Sequence, residues 1–337
     1  MGHLRRTLVA ALLIAVVLVL VLIVTVTGFR IAAGMREKAS RTEEAPSTGR
    51  FVDAGDVELF VQELGPTSGA PVVFVHGTGA WGAIWRETME ALAVEGYRTI
   101  ALDLPPFGYS ERPRSPSYGA HPQGERILAV LDALGIRSAT LVGHSFGARP
   151  TMEALFLAPG RVRSLVLVDA ALGLGQGSGA GASPHWLVDA VLAARPVRDA
   201  LVASTITNPL LSRRLLQLLI ANDAAATDER IAVLQQPMIL KGTTPALGSW
   251  LAQFVAPARA SMGTERERYR TLAMPVLVVW GSRDAVTPLA QGRDLAALVP
   301  GARLVVLEGV GHIPAIEDPR GFNRALLDFL AEQRTRN

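Results

Sequence analysis

Short apolar runs separated by helix-like stretches constrain this chain more than any other feature. The runs are Val72–Val75, Arg98–Leu102, Ala139–Val142, Leu165–Val168, Val276–Trp280 and Leu304–Leu307. Continuous apolar segments of this length mark strands buried on both faces. Between most of them lie Ala83–Val94, Gln123–Leu134, Phe146–Leu157, Leu289–Leu298 and Pro319–Glu332, each with helical character. A crossover of a dozen or more residues joins parallel strands, so helices must cover both faces of one sheet. Upstream, Phe51–Val61 reads as two further strands around the Ala54-Gly55-Asp56 turn. The expected class is therefore α/β, with a mostly parallel sheet of eight strands.

The alternation breaks once. Residues 171–273 contain no convincing strand and many Ala and Leu, which predicts a helical cap between the two parts of the core, 51–170 and 274–337. This insertion opens with Gly173, Gly175, Gly177, Gly179 and Gly181. A dinucleotide loop needs G-x-G-x-x-G, and the required third glycine falls on Ser178 or Ala180, so a flexible hinge is the reading. Further on, Pro209–Ile220 places Leu211, Leu215, Leu218 and Leu219 on one helical face, as expected of an amphipathic lid helix that packs on the core or lines a pocket. The sharper alternative rests Arg213 and Arg214 on anionic headgroups.

Thr7–Phe29 is an uncharged run of 23 residues bounded by Arg6 and Arg30. As a helix it spans roughly 34 Å, enough to cross a bilayer core of about 30 Å. It is too long for the apolar part of a secretory signal, and Thr25-Val26-Thr27 makes a poor cleavage site. Residues 1–29 are thus expected to form a single-pass membrane anchor, with the polar stretch 30–50 as its linker. Basic residues flank the run on both sides, so charge does not assign the side of the membrane. Residues 1–50 hold 7 Lys/Arg and 3 Asp/Glu, net +4, and residues 51–337 hold 26 and 27, net −1. The basic excess sits beside the apolar run, which argues against nucleic acid as a partner. With no cysteine, thiolate nucleophiles, disulfides and Cys-ligated metals are excluded.

The chemistry is carried by Gly143-His144-Ser145-Phe146-Gly147, a G-x-S-x-G pattern between a predicted strand and a predicted helix. So tight a strand-to-helix turn strains Ser145 and leaves no room for side chains at positions 143 and 147. A serine hydroxyl needs a base. Of six histidines, His312 follows the last strand and reaches the same sheet edge, whereas His144 should point away from its neighbour Ser145. Asp284, in Gly281-Ser282-Arg283-Asp284, is the expected carboxylate for His312. Asp169, at the end of the strand Leu165–Val168, is its competitor, with a structural role as the better reading. An oxyanion hole requires two N–H donors, expected from Phe146 and from Thr78 in His76-Gly77-Thr78-Gly79. His76 is expected to brace that loop. Trp81 is a possible pocket wall and Trp85 a core residue.

These four motifs, in this order, resemble the α/β-hydrolase fold superfamily over about residues 51–335, in its serine-nucleophile branch with a lid. One departure is Pro106 in Asp103-Leu104-Pro105-Pro106-Phe107-Gly108-Tyr109-Ser110, where the family's loop carries glycine. The resemblance implies no cofactor and no metal. Ser145 argues against the epoxide hydrolases and haloalkane dehalogenases, which use aspartate. It favours hydrolysis of a small-molecule carboxylic ester, with C–C bond hydrolysis or peracid chemistry as alternatives on the same triad. Serine relatives that cleave C–C bonds tend to carry Asn where this chain has His144. A non-catalytic, membrane-tethered binding protein is the reading from a different class.

Overall fold

The computed structural model describes residues 2–113, 115, 117–174, 186–255 and 261–334. Along the chain these form α1 (Gly2–Arg36), α2 (Arg41–Glu44), β1 (Gly49–Asp53), β2 (Glu58–Leu64), β3 (Pro71–Val75), α3 (Arg86–Val94), β4 (Arg98–Leu102), α4 (Ala120–Ala133), β5 (Ala139–His144), α5 (Ala148–Leu157) and β6 (Val162–Val168). The helical segment follows with α6 (Trp186–Ala193), α7 (Arg195–Ser204), α8 (Ser212–Gln217), α9 (Asp228–Gln235), α10 (Thr243–Val255) and α11 (Arg266–Tyr269). The core resumes with β7 (Val276–Gly281), α12 (Leu289–Leu298), β8 (Arg303–Leu307), α13 (Pro314–Glu317) and α14 (Pro319–Arg334).

The eight strands form one sheet in the order β1-β2-β4-β3-β5-β6-β7-β8. Pairing is antiparallel at β1–β2 and β2–β4 and parallel from β4 to β8. Every residue of β5 and β7 is buried, as their unbroken apolar runs require. The strand period of two divides the core into two layers. Val73 and Val75 join Ile127 of α4, Met152 of α5 and Leu295 of α12, whereas Val72 and Phe74 join Trp85, Met89 of α3 and Phe322 of α14. Because β3, β5, β6, β7 and β8 run the same way, their carboxyl ends open onto one edge of the sheet. The loops that begin at His76, Ser145, Asp169, Ser282 and Glu308 all gather there.

Two expectations shift. The predicted lid helix Pro209–Ile220 is helical only over Ser212–Gln217. Leu216 is buried, but Leu218 is 60% exposed, so the four leucines do not share one buried face. Arg213 bonds the Asp228 carboxylate and the Ala226 carbonyl, and so is not free for headgroups. The apolar helix does not stop at Phe29; it continues to Arg36, because nothing between Gly28 and Arg36 breaks it. Residues 37–39 are then tied to the insertion, and Arg41 and Thr48 to Glu58 and Gln62 of β2, rather than extended as a linker. The Glu37 carboxylate accepts the Thr244 N–H at 3.1 Å and the Thr244 hydroxyl, and Ala39 exchanges backbone hydrogen bonds with Ile239 and Lys241. The proposed glycine hinge, apart from Gly173 and its positive φ of 73°, lies outside the described residues, as does His185.

Candidate active site

At the end of β5 the backbone is extended at His144 and then turns to φ 49° at Ser145, before a short 3-10 turn leads into α5. A left-handed serine is a strained conformation that its surroundings must hold. A Cβ on Gly147 would lie 2.4 Å from the His76 carbonyl oxygen and 2.8 Å from that of Val75. One on Gly143 would lie 2.8 Å from Ala148 Cα. Both glycines are therefore set by backbone that cannot yield.

Ser145, His312 and Asp284, far apart in the chain, form one hydrogen-bonded line. The Ser145 hydroxyl lies 2.7 Å from His312 Nε2, and His312 Nδ1 lies 2.8 Å from Asp284 Oδ2. All three are buried. Asp284 is itself fixed: its Oδ1 accepts the N–H groups of Val286 and Thr287 at 2.8 and 2.9 Å, and its Oδ2 accepts the Thr287 hydroxyl at 2.6 Å. Burial alone would raise this carboxyl, but the bond to His312, its positive charge and the Thr287 hydroxyl outweigh it and hold Asp284 down at about 2. It therefore stays a carboxylate and accepts the Nδ1 proton. With Nδ1 committed to that carboxylate, the ring turns Nε2 toward the serine hydroxyl, an arrangement suited to taking its proton.

Asp169 stands behind this line. It is the second non-glycine residue with positive φ, at 41°, and its Oδ1 accepts the Gly281 N–H at 2.9 Å. Burial, followed by the neighbouring Asp284, pushes its carboxyl well above the usual range. Asp169, Asp284 and His312 offer atoms within 4.8 Å of one another, since Asp284 bonds His312 on one side and lies beside Asp169 on the other. It is Asp284, not Asp169, that bonds His312.

Three buried groups not assigned to the chemistry shape the site. His144 turns away from Ser145, as expected, and its Nε2–H donates to the His312 carbonyl oxygen at 2.7 Å, which ties the His312 loop to β5. Burial and the adjacent His312 lower its pKa to about 3, so it is neutral. His76 braces its own loop: Nδ1–H donates to Gly77 O at 2.8 Å, and Nε2 accepts the Leu104 N–H at 3.0 Å. The Asp103 carboxylate accepts the N–H groups of Gly82 and Tyr109, and so closes the loop that carries Pro106. The loop is formed despite that proline, with Gly108 at φ 58° where a Cβ would strike Asp103.

Gly77 lies so near the serine that a Cβ on it would be 3.0 Å from Ser145 Cβ. The N–H groups of Thr78 and Phe146 donate no hydrogen bond among the described residues. A cavity of about 550 Å³ reaches this loop at Thr78 and Gly79, and the histidine loop at Ile313. Ser145 is not itself in the cavity wall and is 7% exposed. The insertion closes the cavity with Ser212, Leu215, Leu216, Leu219 and Thr243. Trp81 lines it, with Nε1–H on the Val233 carbonyl, whereas Trp85 is core.

The wall also holds three arginines that sequence did not single out. Arg86 pairs with Glu90 and Arg230 with Glu87. Arg112 pairs with no carboxylate among the described residues. Its Nη2 donates to the Thr243 hydroxyl at 2.9 Å, its Nη1 reaches the Ser110 carbonyl at 3.3 Å, and its Nε has no partner. Desolvation lowers the guanidinium to about 10. No sequence signal marks Arg112, since Thr243 is 131 residues away.

Comparison with known proteins agrees with this architecture. A family model described as the alpha/beta hydrolase fold matches residues 70–319. The chain is 32% identical over 299 residues to a 2-hydroxymuconate semialdehyde hydrolase of Pseudomonas sp. (strain CF600), covering 86% of this chain and 96% of that protein. It is 30% identical to a 2-hydroxy-6-oxo-2,4-heptadienoate hydrolase of Pseudomonas putida, covering 85% and 97%. Among solved structures, a variant of the meta-cleavage product hydrolase from Pseudomonas fluorescens superimposes with a TM-score of 0.65 at 27% identity, covering 85% of this chain and 98% of the other. The chain belongs to the α/β-hydrolase fold family and is an enzyme of the α/β-hydrolase type.

Proposed function

We propose that this enzyme hydrolyses a carbon–carbon bond beside a ketone in a substrate that carries a carboxylate. The observation that carries this reading is Arg112, a desolvated cation in the cavity wall that forms no ion pair among the described residues. A half-buried charge without an ion pair is costly, and a bound carboxylate would compensate it. The relatives named above act on carboxylates whose names place a carbonyl along a conjugated chain, which supports the same substrate class. The ester reading expected from sequence draws support only from the family as a whole.

In this reading Ser145 Oγ adds to the ketone carbon as its proton passes to His312 Nε2, while Asp284 supports the imidazolium. The oxyanion accepts the N–H groups of Thr78 and Phe146. Collapse breaks the C–C bond, and its electron pair leaves on a carbon whose conjugation delocalises it. His312 protonates that fragment. Water then gives a proton to His312 and its hydroxyl to the acyl carbon; the returned proton frees Ser145 and the acid departs. The bond broken must therefore leave a stabilised carbanion, which a 2-hydroxy-6-oxo-dienoate supplies once its enol proton has moved to C5: the resulting 2-oxo-3-enoate has a saturated C5, and the electron pair left there is delocalised onto the 2-oxo group.

Arg112→Leu is expected to lower kcat/KM for a 2-hydroxy-6-oxo-dienoate about 10- to 100-fold, the worth of a charge-assisted hydrogen bond. Turnover of the uncharged ester p-nitrophenyl acetate should be unchanged or improved. Steady-state kinetics on both substrates checks this; equal losses on the two would remove the carboxylate from the account.

The enzyme is also inferred to be held at a membrane by α1. Leu8–Arg36 has a mean hydropathy of 3.5 in its most apolar window, and none of that window is buried against the protein. Twenty-nine residues of helix span about 43 Å, longer than the bilayer core.

A further inference from the structure

The last turns of α1 do not leave the protein free to swing. Val26, Phe29 and Arg30 are half-buried and Ala33 is fully buried, on the side of α1 that packs against α7. These positions recur at three- and four-residue steps and so form one stripe. Arg36 Nη2 donates to the Thr207 carbonyl at 2.6 Å, just beyond α7, and Glu37 is fixed on Thr244 at the start of α10. The uncharged run ends at Phe29, so the stripe crosses the level at which hydrocarbon gives way to headgroups. Val26 and Ala33 are only about 10 Å apart along the helix. Whatever α7 exposes beside this stripe is set at that level too.

What it exposes is apolar. Val197 is 51% and Leu201 40% exposed on α7, and Val188 and Val191 are exposed on the adjoining α6. Four aliphatic side chains on two packed helices are more than the scattered exposure usual on soluble surfaces. Arg195, also exposed, stands at the start of α7 within reach of headgroup level.

We propose that the α6–α7 face of the insertion rests on the bilayer, with Val188, Val191, Val197 and Leu201 in the lipid interface. This inference rests on α1 being a membrane span. The insertion is then the part of the enzyme held against the membrane. α10 packs on α7 and brings Thr243 to the cavity, where it bonds Arg112, so the substrate chamber is built directly behind the docked face.

The absence of cysteine makes the test direct. Full-length protein carrying one of Leu18→Cys, Val197→Cys, Leu201→Cys or Val94→Cys is spin-labelled and placed in nanodiscs of phosphatidylcholine and phosphatidylglycerol. Collision with oxygen, which concentrates in lipid, is compared with collision with a water-soluble nickel chelate. Val94, 85% exposed on α3, reports the aqueous side. The expected result is Leu18 deep, Val197 and Leu201 shielded from nickel at interfacial depth, and Val94 open to it. If Leu18 is deep while Val197 and Leu201 behave like Val94, the docked face is wrong and the span stands. If Leu18 itself is open to nickel, the span is wrong. All four positions are exposed, and retained turnover of each labelled protein confirms its fold.

Discussion

Ser145→Ala should lower kcat/KM by roughly 10⁵- to 10⁶-fold while leaving the fold unchanged. The serine's φ of 49° is imposed by the strand–helix turn and by Gly143 and Gly147, and alanine meets the same strain there as serine. Among the described residues the hydroxyl has one partner, His312 Nε2 at 2.7 Å, and its removal strands no other of them. Thermal unfolding within a degree or two of the parent, together with the lost turnover, is the expected pair of results. A variant that kept more than a hundredth of the activity would show that water activated by His312 attacks directly.

Asp284→Asn should cost about 10⁴-fold in kcat by a different route. The N–H groups of Val286 and Thr287 both point at Oδ1, so the amide oxygen of asparagine is drawn to that side. Its NH₂ then faces His312 Nδ1, which must become an acceptor. His312 carries its proton on Nε2 instead, toward Ser145, and can no longer take one from it. Asp169 cannot substitute, because its Oδ1 is held by the Gly281 N–H and its carboxyl is pushed toward the neutral form. NMR of the His312 ring nitrogens would show the exchanged tautomer. An unchanged tautomer alongside the same loss of rate would contradict this explanation.

Much of this was legible in the linear sequence because it rests on local rules. The buried strands announce themselves as unbroken apolar runs, and each of the six became a strand of the sheet. G-x-S-x-G between strand and helix, with Asp284 and His312 after later strands, names residues that the parallel topology then brings together at one edge. What escaped depends on long-range packing. His144 could be expected to turn from Ser145, but not to grip the His312 carbonyl 168 residues on. Arg112 gains its meaning from the partners it lacks, which no spacing reveals. The end of α1 looked like a linker because Glu37 and Arg36 are polar, yet Glu37 is buried on Thr244, 207 residues away. The lid helix was overdrawn because periodicity shows a face but not where a helix stops, and α8 stops at Gln217.

The most direct measurement of the central claim is product analysis with 2-hydroxy-6-oxo-2,4-heptadienoate in ¹⁸O-labelled water, beside p-nitrophenyl acetate under the same conditions. The account predicts cleavage between the ketone carbon and the dienoate chain, giving acetate with one solvent oxygen and 2-hydroxypentadienoate, in a reaction lost with Ser145→Ala and weakened by Arg112→Leu. Efficient turnover of the ester by folded enzyme, with the dienoate left intact, would contradict it and make the enzyme an esterase.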